Sequence, residues 1–220
     1  MSDAPVPVIA IDGPSASGKG TVAALVAKAL GFHYLNSGAL YRLVALSAAL
    51  EGAATGDEPA IARLARGMNA RFSGEDVYLD NRLVSDVIRS EDCARDASRV
   101  ASLASVRLAL LERQRAFRQP PGLVAEGRDM GTIVFPDAAL KVFLMAGPEE
   151  RAERRLKQLK QKGITATLPG LLKDLRERDA RDAARSVAPL KPSPEARLLD
   201  TTSLSATQAA EQVLRWYRGA

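Results

Sequence analysis

Three glycines, two serines and a lysine follow directly on an apolar run near the start of the chain: VPVIAID is followed by GPSASGKGT, residues 13–21. A glycine-rich turn between a strand and a helix leaves backbone N–H groups pointing into one concavity, where the helix dipole adds positive potential. A lysine exposed in such a loop can reach outer phosphates as a point charge. The stretch predicts a polyphosphate-binding loop made of Gly13, Pro14, Ser15, Ala16, Ser17, Gly18, Lys19, Gly20 and Thr21.

A tight turn that needs glycines for its geometry alone is the alternative interpretation. The Gly-x-x-x-x-Gly-Lys spacing and the strand-loop-helix context favour phosphate binding. Gly20 follows Lys19, with Thr21 one position later, whereas the common form of the loop has Ser or Thr directly after the lysine. Thr21 and Glu126 are candidates to bind or orient magnesium, the latter through water, because Glu126 ends an apolar strand. A plain strand-end glutamate fits that pattern equally well.

The GKGT form resembles nucleoside monophosphate kinases more than GTPases, and such kinases need a second anionic site for the phosphate acceptor. Arginine suits that site because its planar fork binds phosphate bidentately and stays charged. Arg128 lies just past a predicted strand, and Arg178, Asp182 and Arg185 are placed on one helix at i, i+4 and i+7, so they share a face. Salt bridges on a solvated helix surface are the alternative explanation of that face.

Composition excludes several classes of protein. A chain of 220 residues with 46% hydrophobic content can bury one sizeable core, so we expect a single domain with a small inserted lobe. One cysteine excludes an internal disulfide, and one histidine excludes a histidine-based metal cluster. The net charge of +5 suits anionic partners. With no predicted signal peptide or membrane span, the expected location is cytoplasmic.

The elements that must position these residues alternate between strands and helices, which predicts an α/β fold with a five-stranded, doubly wound parallel sheet and helices on both faces. The predicted strands are 8–12, 32–36, 123–126, 141–146 and 197–202. Two regions depart from the alternation. Two short strand-like runs around Asp80 and Asn81, within 71–84, predict a hairpin, and the charged stretch 151–185 predicts a helical hairpin broken at Gly163.

Three further motifs, NSGALYR, EGRDMGT followed by VFPDA, and RDARDAARSVAPL, follow GPSASGKGT in that order. Together they resemble the bacterial cytidylate kinase family over nearly the whole chain. The resemblance implies a single P-loop kinase domain over 1–220, with a nucleotide-monophosphate-binding insert at about 37–118 and a mobile lid at about 149–185. It also implies transfer of the γ-phosphate of ATP, with Mg²⁺, to CMP or dCMP.

The resemblance also implies roles for individual residues. Those assigned to catalysis are Lys19, Arg128, Arg178, Asp182 and Arg185. The acceptor phosphate would be bound by Ser37, Arg42, Arg128 and Arg185, the sugar by Arg178 and Asp182, and cytosine by Ser98, Arg107 and Asp129, with Tyr41 also in the substrate-binding set. The base assignment makes chemical sense, because cytosine presents an amino donor beside two acceptors, which a carboxylate and an arginine complement.

Two other functions fit the sequence less well. One is a P-loop kinase for another small acceptor, and the other is a basic RNA-binding protein with a P-loop switch. The sequence has no basic tail and no interleaved aromatic-basic patch, which disfavours the second. We therefore expect small-molecule partners (ATP, CMP and dCMP), no nucleic acid, no membrane and a monomer.

Overall fold

The computed structural model describes residues 5–54, 56–74, 76–161 and 163–219. Of the predicted segments, the insert includes residues 55 and 75 and the lid includes residue 162, and these three positions lie outside the described residues. The chain divides into two compact units. The first comprises residues up to Leu35 together with those from Ala116 onward, and the second runs from Asn36 to Arg115. The boundaries predicted for the insert and the lid stay predictions.

The secondary structure follows the alternation read from the sequence. The strands are β1 (Val8–Asp12), β2 (His33–Asn36), β3 (Ala70–Ser73), β4 (Asp76–Leu79), β5 (Arg82–Leu83), β6 (Leu123–Gly127), β7 (Leu140–Met145) and β8 (Arg197–Asp200). The helices are α1 (Lys19–Leu30), α2 (Ser37–Leu50), α3 (Glu58–Gly67), α4 (Ser85–Ile88), α5 (Glu91–Val100), α6 (Ala104–Arg115), α7 (Pro148–Gln161), α8 (Leu168–Ala183) and α9 (Ala206–Arg218). A π-helical turn, Met130–Val134, follows β6.

Within the described residues, the main sheet has five strands in the order β2-β6-β1-β7-β8. Strand β1 pairs in parallel with β6 and β7, and β7 pairs in parallel with β8. All five predicted strands are present, although the last is shorter than predicted and ends at Asp200. Because β1 is central and the carboxyl ends of parallel strands meet at one edge, the loop after β1 lies beside the segments that follow β6 and β7.

The core of the first unit lies against this sheet. Ile9 and Ile11 on one face of β1 are fully buried in an apolar cluster with side chains of α1 and α9. Val8 and Ala10 point to the opposite face, since strand side chains alternate, and they are fully buried too. Both faces of β1 are therefore covered, as the doubly wound fold requires, and each buried isoleucine contributes about 1.5–3 kcal/mol to the free energy of folding.

Local signals set the ends of the helices. Gly31, with φ +65°, ends α1, and a capping box between Ser205 and Gln208 begins α9.

The charged stretch forms the predicted helical hairpin, in which α7 and α8 pack through a small apolar cluster that includes Leu159 and Leu171. None of the helices in the described part of the chain has the length and apolar character needed to cross a membrane.

The second unit contains helices and a small sheet. The hairpin predicted within 71–84 is present as β4 and β5, and β3 pairs with β4 as a third antiparallel strand that the sequence did not predict. The turn between β4 and β5 is where the sequence places it, since Asp80 and Asn81 both have positive φ, as a two-residue hairpin turn requires. Strand β3 pairs along β4 from Ala70 opposite Leu79 to Ser73 opposite Asp76.

Candidate active site

Glycines fix the loop between β1 and α1 at both of its ends. Gly13 has φ +154°, and a Cβ there would lie 2.3 Å from the backbone oxygen of Leu144 in β7. Gly18 has φ +88° and forms the N-cap of α1. Any side chain at Gly13 would meet the backbone of β7, and the conformation of Gly18 strains L residues. The loop therefore packs closely on the sheet and leads directly into the N-terminus of α1, where anions are stabilised.

Two side chains from outside the loop hold its carbonyl groups. Arg151 in α7 donates to the carbonyl oxygen of Ser15 at 3.1 Å, and the hydroxyl of Thr201 lies 3.0 Å from the carbonyl oxygen of Ser17. Arg151 and Thr201 are only 5% and 2% exposed. In a planar trans peptide the carbonyl and the following N–H point in opposite directions. Because Arg151 and Thr201 bind the carbonyl oxygens on one side of the loop, the N–H groups of the following residues point to the other side. A phosphate-binding loop requires that orientation.

Lys19 is buried at the first position of α1, so the prediction of an exposed ammonium was wrong. Only 9% of the residue is exposed, and its Nζ donates to the carbonyl oxygen of Pro14 at 3.0 Å because the loop wraps over it. Burial, together with the positive charges of Arg128 and Arg178, lowers the pKa of Lys19 to about 7 in spite of the carboxylate of Glu126. An arriving polyphosphate would restore the charged form of the lysine.

The departure of this loop from the common form has a steric reason. A Cβ on Gly20 would lie 3.1 Å from Oε1 of Glu126, so a serine or threonine there would crowd the carboxylate. Glu126 is 5% exposed, and its Oε1 accepts a 3.0 Å hydrogen bond from the hydroxyl of Tyr34. Thr21 is exposed. The two predicted magnesium contacts therefore differ in environment, since one is a buried, oriented carboxylate and the other an exposed hydroxyl.

Glu126 and Thr21 are the residues beside the phosphate loop that would bind Mg²⁺. Among the described residues, no three His, Cys, Asp or Glu side chains are grouped in a way that could hold a metal ion. Mg²⁺ in kinases commonly takes one or two protein oxygens and completes its shell with water and substrate phosphates. The buried carboxylate of Glu126 beside the N-terminus of α1 fits that mode of binding.

A groove of about 470 Å³ opens beside the phosphate loop in the first unit. Ser17, Gly18 and Thr21 line one side, and Arg154 and the residues after β8, among them Thr202, line the rest. The guanidinium of Arg154 donates to the carbonyl oxygen of Thr202 at 3.2 Å. Of the two adjacent arginines of α7, Arg154 lines the groove, whereas Arg155 binds Gln158 on the same helix. The groove has the volume of a ligand pocket.

An acid-arginine cluster, defined here as Ser15, Arg128, Asp182 and Arg185, lies against the phosphate loop. Arg128 donates from Nε to Asp182 Oδ2 at 2.8 Å and from Nη2 to the hydroxyl of Ser15 at 2.8 Å. Arg185 binds the other carboxylate oxygen of Asp182. Asp182 is 1% exposed and Arg128 lies 54 residues away in sequence. Asp182 therefore does not form a solvated salt bridge within one helix.

The charges of this cluster support one another. Burial alone would raise the pKa of Asp182, but Arg128, Arg185 and Arg178 together hold it below the usual value of 3.8. Arg178 is near enough to affect both Asp182 and Lys19, so it belongs to the same positive region. Asp182 therefore stays ionised and keeps the arginines oriented, which is the preorganisation that phosphate recognition needs.

The prediction that Arg178, Asp182 and Arg185 share one helix is corrected in one respect. Helix α8 ends at Ala183, so Arg185 follows the helix rather than lying on it. The chain turns there, and the N–H of Leu190 donates to the carbonyl oxygen of Asp182 at 2.9 Å. The predicted base-reading residue Asp129 is 2% exposed and directly precedes the π-helical turn.

The other predicted substrate residues lie in the second unit. Ser37 begins α2, and the ring of Tyr41 on the same helix lies 5.6 Å from the guanidinium of Arg107. Arg107 is 7% exposed and donates to the carbonyl oxygen of Ala101 at 3.1 Å, while Ser98 is 3% exposed. Arg42 donates to the carbonyl oxygens of Ile88 and Ser90. Within this unit Tyr41 and Arg107 come together, and the side chains of Ser98 and Arg107 are both buried.

Sequence reasoning missed three residues that hold this region in place: Asp12, Arg151 and Thr201. In the sequence, Asp12 is the end of a buried strand, Arg151 is part of a charged helix, and Thr201 is part of the predicted last strand. An acid directly before the phosphate loop was the only signal available, because a buried aspartate needs partners.

The parallel sheet carries a phosphate loop that leads into a helix beginning with Lys19, and Asp182 holds two arginines beside that loop. This arrangement is a P-loop kinase fold. The family model described as Cytidylate kinase matches residues 9–219. The chain belongs to the cytidylate kinase family, as the sequence resemblance predicted.

Curated relatives agree with this assignment over almost their whole length. The cytidylate kinase of Bordetella bronchiseptica is 58% identical over 96% of this chain and 95% of its own. Those of Bordetella pertussis and Burkholderia pseudomallei are 57% and 59% identical, over 96% and 97% of this chain and 95% and 94% of their own.

Proposed function

We propose that this enzyme transfers the γ-phosphate of ATP to CMP or dCMP, giving ADP and CDP or dCDP. The proposal is supported by the family membership and by the names of curated relatives at 57–59% identity. The observation that carries it is the buried Asp182, which holds Arg128 and Arg185 beside the phosphate loop. Arginines placed there suit an acceptor that carries a phosphate better than one that offers only a hydroxyl.

On the donor side, the loop from Gly13 to Thr21 would hold the phosphates of ATP and the neighbouring groove its nucleoside. Lys19 would move from the Pro14 carbonyl to the outer phosphates, where its positive charge is most stabilised. Glu126 and Thr21 would supply the protein oxygens nearest to Mg²⁺. The metal, when bound, neutralises charge on the phosphates.

On the acceptor side, Arg128 and Arg185 would bind the phosphate of CMP, and Arg178 and Asp182 its sugar. The acceptor oxygen attacks the γ-phosphorus in line with the leaving oxygen of ADP, so no covalent enzyme intermediate forms. The work of these residues is positioning and charge stabilisation, and no general base is needed. Closure of a lid, predicted at about 149–185, would exclude water as a competing nucleophile.

Base recognition is assigned from the resemblance to Asp129 in the first unit and to Ser98 and Arg107 in the second. Asp129 would accept from the cytosine amino group, and Arg107 would donate to its ring acceptors. Uracil places a carbonyl where cytosine has the amino group, so the same carboxylate would disfavour it. Ser37, Tyr41 and Arg42 are proposed as further contacts to the acceptor.

A panel of acceptors tests the proposal. ADP release is followed with CMP, dCMP, UMP, AMP or GMP at equal concentrations, and with single-stranded RNA in place of the monophosphate. We expect CMP or dCMP to give the highest kcat/KM and RNA to give no stimulation. If AMP proved the best acceptor, the assignment to CMP would be wrong, and RNA-stimulated hydrolysis would support the RNA-binding alternative.

The remaining proposals concern the state of the protein. We propose that it acts as a monomer in the cytoplasm on small molecules, with no nucleic-acid or membrane partner. Light scattering after size-exclusion chromatography, with and without ATP and CMP, tests the monomer.

A further inference from the structure

Asp12, the last residue of β1, accepts two backbone hydrogen bonds from the segment that follows β6. The N–H of Met130 donates to Oδ1 at 2.9 Å and the N–H of Gly131 donates to Oδ2 at 2.8 Å. Asp12 is 6% exposed and directly precedes Gly13. One side chain thus connects the start of the phosphate loop with the segment that carries the predicted acceptor residues.

The sheet itself does not require this carboxylate. Strands β1 and β6 are already paired in register from Val8 opposite Leu123 to Asp12 opposite Gly127. A buried carboxylate is costly, and burial raises the pKa of Asp12 to about 7 in spite of the two N–H donors that lower it. An apolar side chain would avoid that cost but would leave two buried N–H groups without their acceptor.

The bonds fall where the chain leaves the sheet and changes direction. Asp129 has φ −146° and ψ 22°, and its carbonyl oxygen accepts from the N–H groups of Ile133 and Val134 as the π-helical turn begins. Fixing the amides of Met130 and Gly131 fixes the peptide that joins Met130 to Asp129. Asp12 is also close enough for the charges of Asp129 and Arg128 to affect its pKa.

The phosphate loop has supports of its own. Arg151 binds the carbonyl of Ser15 and Thr201 binds that of Ser17, as described above. The two hydrogen bonds of Asp12 instead go to Met130 and Gly131. Losing them should therefore loosen the segment after β6, while the phosphate loop keeps its own supports.

We propose that Asp12 is a positioning residue for acceptor recognition, which clamps the Met130 and Gly131 amides so that Asp129 and Arg128 face the acceptor nucleotide. The proposal rests on the function proposed above. It assigns to Asp12 an effect on the choice of base, which a residue serving the stability of the sheet alone would not have.

The test is Asp12→Asn, which keeps the size of the side chain but replaces one acceptor oxygen with an amide nitrogen facing an N–H donor. Steady-state kinetics are measured with CMP and UMP at saturating ATP, and with ATP at saturating CMP. We expect kcat/KM for CMP to fall at least roughly tenfold, as the loss of one charge-assisted hydrogen bond allows. The preference for CMP over UMP should narrow by a factor of about three or more, while the KM for ATP stays within about threefold.

Ile11→Val is the matched control, because it removes a buried methylene from the neighbouring residue of the same strand at a cost of about 0.5–1.5 kcal/mol. It should leave the preference for CMP unchanged. If Asp12→Asn does not fold, as judged by circular dichroism, Asp12→Ser keeps a hydroxyl acceptor without a buried charge and is measured in its place.

An unchanged preference for CMP over UMP in a folded Asp12 variant would overturn the proposal, and so would unchanged kcat/KM for CMP. It would equally be overturned if the KM for ATP rose as much as kcat/KM for CMP fell, or if Ile11→Val narrowed the preference to the same extent. The function itself is tested in the wild-type panel, and the ratio of variant to wild type is taken with whichever acceptor the wild type uses best. Failure of the Asp12 proposal can therefore be distinguished from failure of the proposed function.

Discussion

Replacing Asp182 with alanine removes the carboxylate that holds Arg128 and Arg185 beside the phosphate loop. Asp182 is 1% exposed, and each of its oxygens binds one of the two arginines. The side chains of those arginines are themselves only 14% and 5% exposed. Alanine would leave two largely buried cations without the carboxylate that orients them.

The magnitude follows from the bonds that are lost. A hydrogen bond to a charged group contributes about 1.5–3 kcal/mol, and about 1.4 kcal/mol corresponds to a factor of ten in rate. If one such bond is used in the transition state, kcat/KM for CMP should fall about 10- to 150-fold. The KM for ATP should change much less, because the phosphate loop is held separately by Arg151 and Thr201.

The assay is steady-state kinetics in both substrates, with circular dichroism to confirm folding. Glu177→Ala is the matched control, because Glu177 pairs at 3.9 Å with Arg181 on the exposed side of the same helix and should change CMP kinetics less than twofold. CMP kinetics that survive Asp182→Ala would refute the reasoning and return Asp182 to a structural role.

Acid unfolding gives a second readout for Asp182. Its folded pKa lies below the unfolded value of 3.8, so the stability it contributes is present above that pH and is lost as the pH falls further. The wild type should therefore lose more free energy of unfolding than Asp182→Ala as the pH is lowered below about 4. Parallel acid-unfolding curves would contradict the pairing.

Two further predictions concern the phosphate loop. Lys19→Ala should fold and should lower kcat by at least about a hundredfold, because the lysine acts on charge that develops during transfer, and near-normal turnover would contradict the loop assignment. Because the pKa of Lys19 is lowered to about 7, the unfolded state holds the extra proton between that pH and 10.5, so the wild type should gain stability over Lys19→Ala across this range in urea titrations. Gly13→Ala should lower the free energy of unfolding by much more than the roughly 1–2 kcal/mol expected for Gly31→Ala. A Cβ at Gly13 meets the Leu144 carbonyl, whereas one at Gly31 meets nothing within 4 Å. Equal thermal shifts in the two glycine variants would show that the clash is relieved.

Much of the fold could be predicted because its signals are local. Apolar runs and helical spacing predict the five strands of the main sheet, and Gly31 and the Ser205 capping box are local signals at which α1 ends and α9 begins. The small sheet of the second unit was predicted less well. The runs around Asp80 and Asn81 were found, but the pairing of β3 with β4 was not, because a four-residue strand carries little periodicity.

The sequence by itself determined the phosphate loop, the order of its elements and the family, since spacing and residue type carry that information along the chain. Only the tertiary structure decided that Lys19 is buried, that Gly20 makes room for Glu126, and that Asp182 pairs with Arg128 from 54 residues away. It also decided that Asp12 binds the amides of Met130 and Gly131. These facts depend on which strands become neighbours, and the order β2-β6-β1-β7-β8 joins segments more than a hundred residues apart. No local pattern encodes such a contact, because burial and strand pairing arise only when distant segments of the chain pack together in the folded protein.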